Sequence, residues 1–509
     1  MRSPANFIVF FRRPLSHVPW LSAAALLAGC ATAVPELTPG SPAAPVASQW
    51  HAPLPHGGQL ADLGLWWGQF DDPLVPRLIA AGQKASPTLA EAVARIAEAR
   101  AARVSSGAAL LPNLGANASA SRARSEIAAP VGKAASAGLQ AGWELDLFGA
   151  NRAGAGAAQA ALESSQAGWH VARVSLAAEI ATNYLGLRAC EAQLVQTELD
   201  ARSRTRTAEL TDLAADAGFR APATADLARA SAAQANAALI QQRAQCDLSV
   251  KALVALTALD ETALRGELAA WAARLPHPAE LAVAAVPAAV LAQRPDIYAA
   301  ARDVVAASAR ADQAQAQRWP RVTLAGSIGA TRVSGGGISS NGSVWSVGPV
   351  AVTLPLFDGG ALRANAQAAR VRYETATTVY AARLREAVRD VETALVTLRS
   401  TAARGADTDT AAAGFERSYR ATEASYQAGT ASLFELEDAR RSMLAAQVAV
   451  IDLRRERVAA WIALYRELGG GWSEAGAQAS TAITAESLEP PIANIGSRTA
   501  QARQEQGNQ

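Results

Sequence analysis

The sequence predicts a mixed α + β membrane protein, in which long coiled-coil helices are joined to a few short strands and the whole arrangement is written twice. Three observations carry this expectation. Landmarks recur at one offset, apolar residues keep helical spacing over stretches far longer than a globular helix, and the regions between those stretches alternate with period two.

The repeat comes first. Ser86-Pro87-Thr88-Leu89 opens an Ala-, Glu- and Arg-rich helix, and Arg294-Pro295-Asp296-Ile297 opens a second. Pro112 ends the first and Pro320 the second, so that both proline pairs lie 208 residues apart. Leu145, within Trp143–Gly149, is answered by Leu354, within Val352–Gly359; Leu227 is answered by Leu436, and both leucine pairs lie 209 residues apart. Two copies point to a duplicated domain rather than to a solenoid. The organisation read from this is a leader over 1–29, an N-terminal segment over 30–85, repeats over 86–285 and 286–472, and a polar, Pro-containing tail over 473–509, expected to be disordered.

In the leader, Arg2, Arg12 and Arg13 precede an apolar run from Trp20 to Ala28. A basic start, a short apolar run and small residues before a cut site describe a secretory signal, and the run is shorter than the roughly 20 residues a membrane-spanning helix needs. It ends in Leu27-Ala28-Gly29-Cys30. This resembles a bacterial lipobox, in which the Cys becomes the first mature residue and is acylated. Ala31, where an Asp would mark a different destination, resembles an outer-membrane address.

The chain holds 47 Lys and Arg against 45 Asp and Glu, and three of the Arg lie in the acid-free leader. The remainder is therefore close to neutral, without the basic stripe a nucleic-acid binder would show. The five His are scattered, and no CxxC, HExxH, GxSxG or Gly-rich phosphate loop occurs, so neither catalysis, nor a metal, nor another cofactor has a candidate.

Within each repeat the order is helix, two strands, two long helices. The first strand pair, between Pro112 and Phe148, is rich in Ser, Ala and Gly. In the second, Val322, Leu324, Ile328 and Ala330 alternate with Thr323, Ser327 and Thr331, and a loop at Ser334-Gly335-Gly336-Gly337 leads to a strand from Ser343. One apolar and one polar face fits a membrane barrel or a soluble hairpin with one buried side. From Asn151 to about Ala217 the sequence is helical almost without a break, a length of roughly 100 Å at about 1.5 Å per residue. Val388, Val391, Leu395 and Leu398 form one seam, and Tyr380, Leu384, Ala387, Val391 and Ala394 a second beside it. Two seams suit a closed ring of helices, and a plain antiparallel bundle is the alternative. Four strands cannot close a barrel, since the smallest have about eight. A sheet with open edges is forbidden in lipid. Several chains must therefore share one barrel, in a number the pattern leaves open.

Cys190 and Cys246 lie symmetrically about Gly218, near which the first long helix should turn back through Pro222. An antiparallel hairpin sets them at one height, within reach of a disulfide if their Cα atoms come within about 7 Å; two small buried residues in a helix seam are the other reading.

Taken together, Trp66-Trp67 with Phe70-Asp71-Asp72-Pro73-Leu74, Trp143–Gly149, Arg294–Ile297, Leu354–Gly360 and the closing Leu468-Gly469-Gly470-Gly471-Trp472 resemble the TolC-like outer-membrane factors. The branch is the lipoprotein one that serves resistance-nodulation-division pumps, of the NodT kind. The resemblance implies a homotrimer with a twelve-stranded barrel in the outer membrane, continued by a helical barrel through the periplasm. It also implies a periplasmic adaptor and an inner-membrane pump as partners, and no enzymatic activity: a passive, gated duct for small molecules. A type I protein-secretion channel shares this architecture, and a periplasmic coiled-coil lipoprotein would share the helices only. In this reading Gly218 and Pro222, with Gly429, Thr430 and Ser432, form adaptor-facing hairpin tips. Similar proteins place a periplasmic gate at the positions of Phe434 and Asp438. These are one helical turn apart, with Glu435 beside them. Ordinary surface pairing of Glu437 and Asp438 with Arg441 is the plainer alternative.

Overall fold

A computed structural model describes residues 63–124, 131–276, 291 and 294–472. The leader, Cys30 and the tail 473–509 lie outside the described residues.

A 3-10 turn, Leu63–Phe70, leads into α1, Leu74–Ala85, and α2, Pro87–Ala108. Strands β1, Asn113–Ala123, and β2, Gly132–Leu145, follow, then α3, Ala150–Asp216, α4, Pro222–Thr257, and the short α5, Glu261–Ala269. The pattern recurs as α6, Pro295–Ala316, β3, Arg321–Gly335, β4, Ile338–Thr353, α7, Ala361–Gln427, and α8, Leu433–Glu467. The two longest helices, α3 and α7, each have 67 residues.

Their starts are built alike. A glycine with positive φ, Gly149 or Gly360, precedes each helix, and an Asp carboxylate accepts from the free N–H groups of its first turn. Asp146 accepts from Asn151 and Arg152 at 3.1 and 2.9 Å, and Asp358 from Gly360 and Leu362 at 2.8 Å each. These bonds, with the first-turn dipole, hold the Asp358 carboxyl below its ordinary range.

The strands form one antiparallel sheet in sequence order, β1-β2-β3-β4. Register sorts the side chains as alternation predicts. Leu139, Ile328 and Trp345 fall on one face; Ser119 and Ser136, whose hydroxyls are 2.9 Å apart, and Ser327 and Ser346, 2.8 Å apart, fall on the other. The expected four-residue loop after β3 is shorter. β3 runs to Gly335 and β4 begins at Ile338, leaving Gly336 and Gly337 at φ 60° and 85°. Such a two-residue turn matches the twist of the flanking strands and needs positive φ at both positions.

The helices stand in rows. Near the sheet the order is α2, α3, α6, α7; farther along, where α2 and α6 have ended, it is α4, α3, α8, α7. Cys190 of α3 and Cys246 of α4 are joined by a disulfide with Cα atoms 5.6 Å apart. The largest core lies at this level. Trp66 and Trp67 pack against Tyr465 at ring distances of 5.4 and 4.7 Å, and Trp66 meets Trp461 edge-on at 6.3 Å. Beside them the buried Asp72 accepts from Tyr184, and the Arg188 guanidinium lies over the Tyr184 ring at 4.7 Å. Arg188 also donates to Glu191 and to the Leu268 carbonyl at 2.8 and 3.0 Å. Burial and the Asp72 hydrogen bond push the Tyr184 hydroxyl far above its ordinary range. This chain of contacts fastens the N-terminal segment and α5 to α3.

Candidate functional site: hairpin tips and helix wall

Both long helices reverse at a glycine. Gly218 and Gly429 each have φ 77°, the left-handed conformation that ends a helix without a Cβ penalty. Pro222 then occupies the first turn of α4, where a missing N–H costs nothing. At the second tip the Thr430 hydroxyl donates to the Ser425 carbonyl at 3.0 Å, and Ser432 caps α8. The Ser432 hydroxyl accepts from the Glu435 N–H at 3.2 Å, while the Glu435 carboxylate accepts from the Ser432 N–H at 2.6 Å. The tips lie side by side: the Arg220 guanidinium sits over the Tyr426 ring at 5.3 Å, and the Thr211 and Tyr426 hydroxyls are 3.0 Å apart.

Of the three residues expected at the gate, Phe434 and Asp438 share one exposed face of α8, the Phe434 side chain being 71 % exposed. Glu435 stands beside them with its carboxylate engaged in the capping box. That contact holds it below its usual pKa range and gives it a helix-starting role. Surface pairing holds for Asp438, which lies 3.8 Å from Arg441. It does not hold for Glu437, which is buried and turns inward to Arg440 and to Arg204, at 2.5 and 2.7 Å.

That inward turn opens onto a network of charges shared between helices. Arg440 is 1 % exposed. It donates to Glu437, and to the hydroxyls of Ser203 at 3.0 Å, Thr207 at 3.3 Å and Tyr419 at 3.4 Å. Arg204 holds Asp200 through two oxygens at 3.0 and 2.9 Å and donates to Ser231 at 2.9 Å. Two guanidiniums and two carboxylates thus neutralise one another between α3, α4, α7 and α8, behind the face that carries Phe434 and Asp438. The one available signal was Arg440 itself, which continues the helical spacing of the buried Leu433 and Leu436.

The rows also expose what a single chain leaves open. β1 and β4 end the sheet with one edge each unpaired. Along α4, Ala230, Ala233, Ala237, Ile240, Ala244 and Leu248 follow coiled-coil spacing and are all exposed, Ile240 by 68 % and Leu248 by 62 %. On the sheet, Trp345 is 73 % and Val347 83 % exposed on the apolar face. No described helix is long and apolar enough to cross a membrane.

A sheet with an apolar outside and a hydroxyl-rich inside, carried on long helices whose edges await neighbours, defines a membrane channel assembled from several chains. The chain belongs to the outer membrane efflux protein family, whose sequence model matches residues 78–259 and 286–470. It is 29% identical over 472 residues to the outer membrane protein OprJ of Pseudomonas aeruginosa, covering 91% of this chain and 97% of that one. It is also 29% identical over 474 residues to the pyoverdine export outer membrane protein OpmQ of Pseudomonas putida, covering 90% and 97%. Among solved structures, the outer-membrane channel OprN matches with a TM-score of 0.76 at 26% identity, over 85% of this chain and 99% of that one. The open state of the MtrE outer membrane channel of Neisseria gonorrhoeae matches with a TM-score of 0.73 at 27% identity, over 85% and 97%. The protein is an outer-membrane efflux channel of the kind that serves tripartite resistance-nodulation-division pumps, reaching from the outer membrane into the periplasm. Its relatives are channels, not enzymes.

Proposed function

We propose that three copies close into one passive, gated duct, lipid-anchored at Cys30, which exports small molecules delivered by an inner-membrane pump through a periplasmic adaptor. The observation that carries this reading is the pair of unpaired edges at every level. On one side stand α2, β1 and α4; on the other stand α7 and β4. A cyclic copy operation joins each edge to its opposite and leaves none over. Three copies of four strands make a closed twelve-stranded barrel, and three copies of each helix row make a ring of twelve.

In that ring the segments 86–285 and 286–472 act as equivalent staves, and the tips at Gly218–Pro222 and Gly429–Ser432 face the adaptor. Phe434 and Asp438 gate the duct where α8 meets the axis. A threefold ring of Phe434 narrows the passage and excludes water, and three Asp438 carboxylates favour cations. The test is conductance in planar bilayers. The wild-type trimer should be nearly closed, and Phe434→Ala combined with Asp438→Ala should raise its conductance several-fold. Unchanged conductance in a correctly assembled double variant would move the gate elsewhere.

A further inference from the structure

We propose that the extracellular rim of the sheet is a docking surface for the phosphate-bearing headgroups of anionic lipid in the outer leaflet, formed by Arg122, Lys133 and Arg332. The register sets these side chains together. Arg122 stands directly opposite Lys133 across β1 and β2, and Arg332 stands opposite Ala135, diagonal to Lys133 across β2 and β3. All three are exposed. By alternation they share the face of Leu139, Ile328, Trp345 and Val347, which is the lipid side and not the lumen. They also lie at the strand ends remote from the helices, since every helix joins the sheet at the ends marked by Asn113, Leu145, Arg321 and Thr353.

Height on the barrel supports the same assignment. From Lys133 down to Trp143 along β2, at about 3.3 Å per residue and a tilt near 40°, the vertical distance is roughly 25 Å, the height of a barrel's apolar band. Trp143 then falls at the inner interface, near Phe148 and Trp319, whose rings stack at 5.7 Å as in an aromatic girdle. The basic row falls at the outer interface, where headgroups begin.

Charge supplies the second argument. Like charges directly opposite on paired strands repel. Among the described residues no acidic side chain pairs with Arg122, Lys133 or Arg332, whereas most arginines of the long helices have a carboxylate partner. A cluster of cations placed at the edge of an apolar band and left without counter-charge is suited to an external anion that is itself anchored in lipid. Guanidinium and phosphate pair through two parallel hydrogen bonds. Threefold closure would repeat the cluster around the rim.

This inference rests on the sheet lying in the outer membrane, which fractionation reads separately. The test is lipid retention by the purified full-length trimer, followed by native mass spectrometry. The probes are diphosphorylated lipid A, phosphatidylcholine, and lipid A in the presence of excess inorganic phosphate. Lipid A should be retained in preference to phosphatidylcholine and should resist displacement by phosphate. Retention should fall at least about fivefold in the triple variant Arg122→Gln, Lys133→Gln, Arg332→Gln. The charge-conserving triple Arg122→Lys, Lys133→Arg, Arg332→Lys should keep it. If the neutral triple fails to assemble, Arg332→Gln alone should show a smaller loss in the same direction. Equal retention of the two lipids, no loss in an assembled neutral variant, or displacement of lipid A by phosphate would each overturn the proposal.

Discussion

Arg440 and His170 show how single buried polar groups are tolerated in these helices, by opposite means. The Arg440 guanidinium is met by Glu437 at 2.5 Å, by Asp200 at 3.9 Å and by three hydroxyls that accept from it. Arg440→Met should therefore destabilise the chain by about 3 kcal/mol, the low end for breaking a buried ion pair, because Arg204 still faces both carboxylates. The urea midpoint measures this, and Arg440→Lys should lose less. His170 instead gives up its charge. It is buried against Trp169 at a ring distance of 4.8 Å, and burial, helped by the nearby Arg173 cation, lowers its pKa from 6.5 to about 4. Between those values the unfolded chain binds the proton and the folded chain does not. Stability from this site is thus intact above about pH 6.5 and falls as pH drops toward 4, by up to about 3 kcal/mol per chain. A thermal-denaturation series of His170→Phe should show a flatter acid limb than wild type. An identical slope would mean that other groups set the acid sensitivity.

At the scale of elements, the sheet shows why small residues line its polar face. Gly138 and Gly329 oppose each other across β2 and β3. A Cβ on Gly138 would come within 2.8 Å of the Ile328 carbonyl oxygen, and one on Gly329 within 2.7 Å of that of Ala137. Both glycines lie on the face of Ser136 and Ser327, the concave side if the sheet curls around a lumen. Strong curvature at defined positions is what paired glycines permit in a barrel. Replacing both by Val should prevent closure, so that the band of heat-modifiable migration seen for a folded barrel disappears on gels. A normal band would mean that the sheet accommodates a Cβ there by shifting its register.

For the whole molecule, the decisive fact is that both sides of each row are unfinished. The exposed seam of α4 has the same spacing as the seams already buried between α3 and α4 and between α7 and α8, so a neighbouring helix is its natural partner. Ile240→Asp with Leu248→Asp should leave the hairpin folded, because both side chains are more than half exposed within one chain, but should abolish the trimer. Native mass of the detergent-solubilised protein distinguishes the two states. A variant that stays trimeric would show that α4 is not the edge at which copies meet.

The sequence by itself determined whatever depends on local period. The duplication, the length of α3, the alternation in β3, and the symmetric placing of Cys190 and Cys246 about Gly218 were all legible, because a helix or strand imposes one repeat on its own residues and an antiparallel hairpin maps sequence symmetry onto height. Tertiary structure alone decided which elements become neighbours. Glu437 has Arg441 one turn away, yet it turns inward, to Arg440 on its own helix and also to Arg204 of α3; Tyr184 finds Asp72, 112 residues earlier; α5 and the 3-10 turn at Leu63–Phe70 take their places on α3 and α8 without any strong periodic signal of their own. Helical spacing says that a residue faces inward, but not which helix it will meet there. That choice depends on side-chain packing across a row of helices, where a buried charge must find its partners among whatever residues the packing brings beside it.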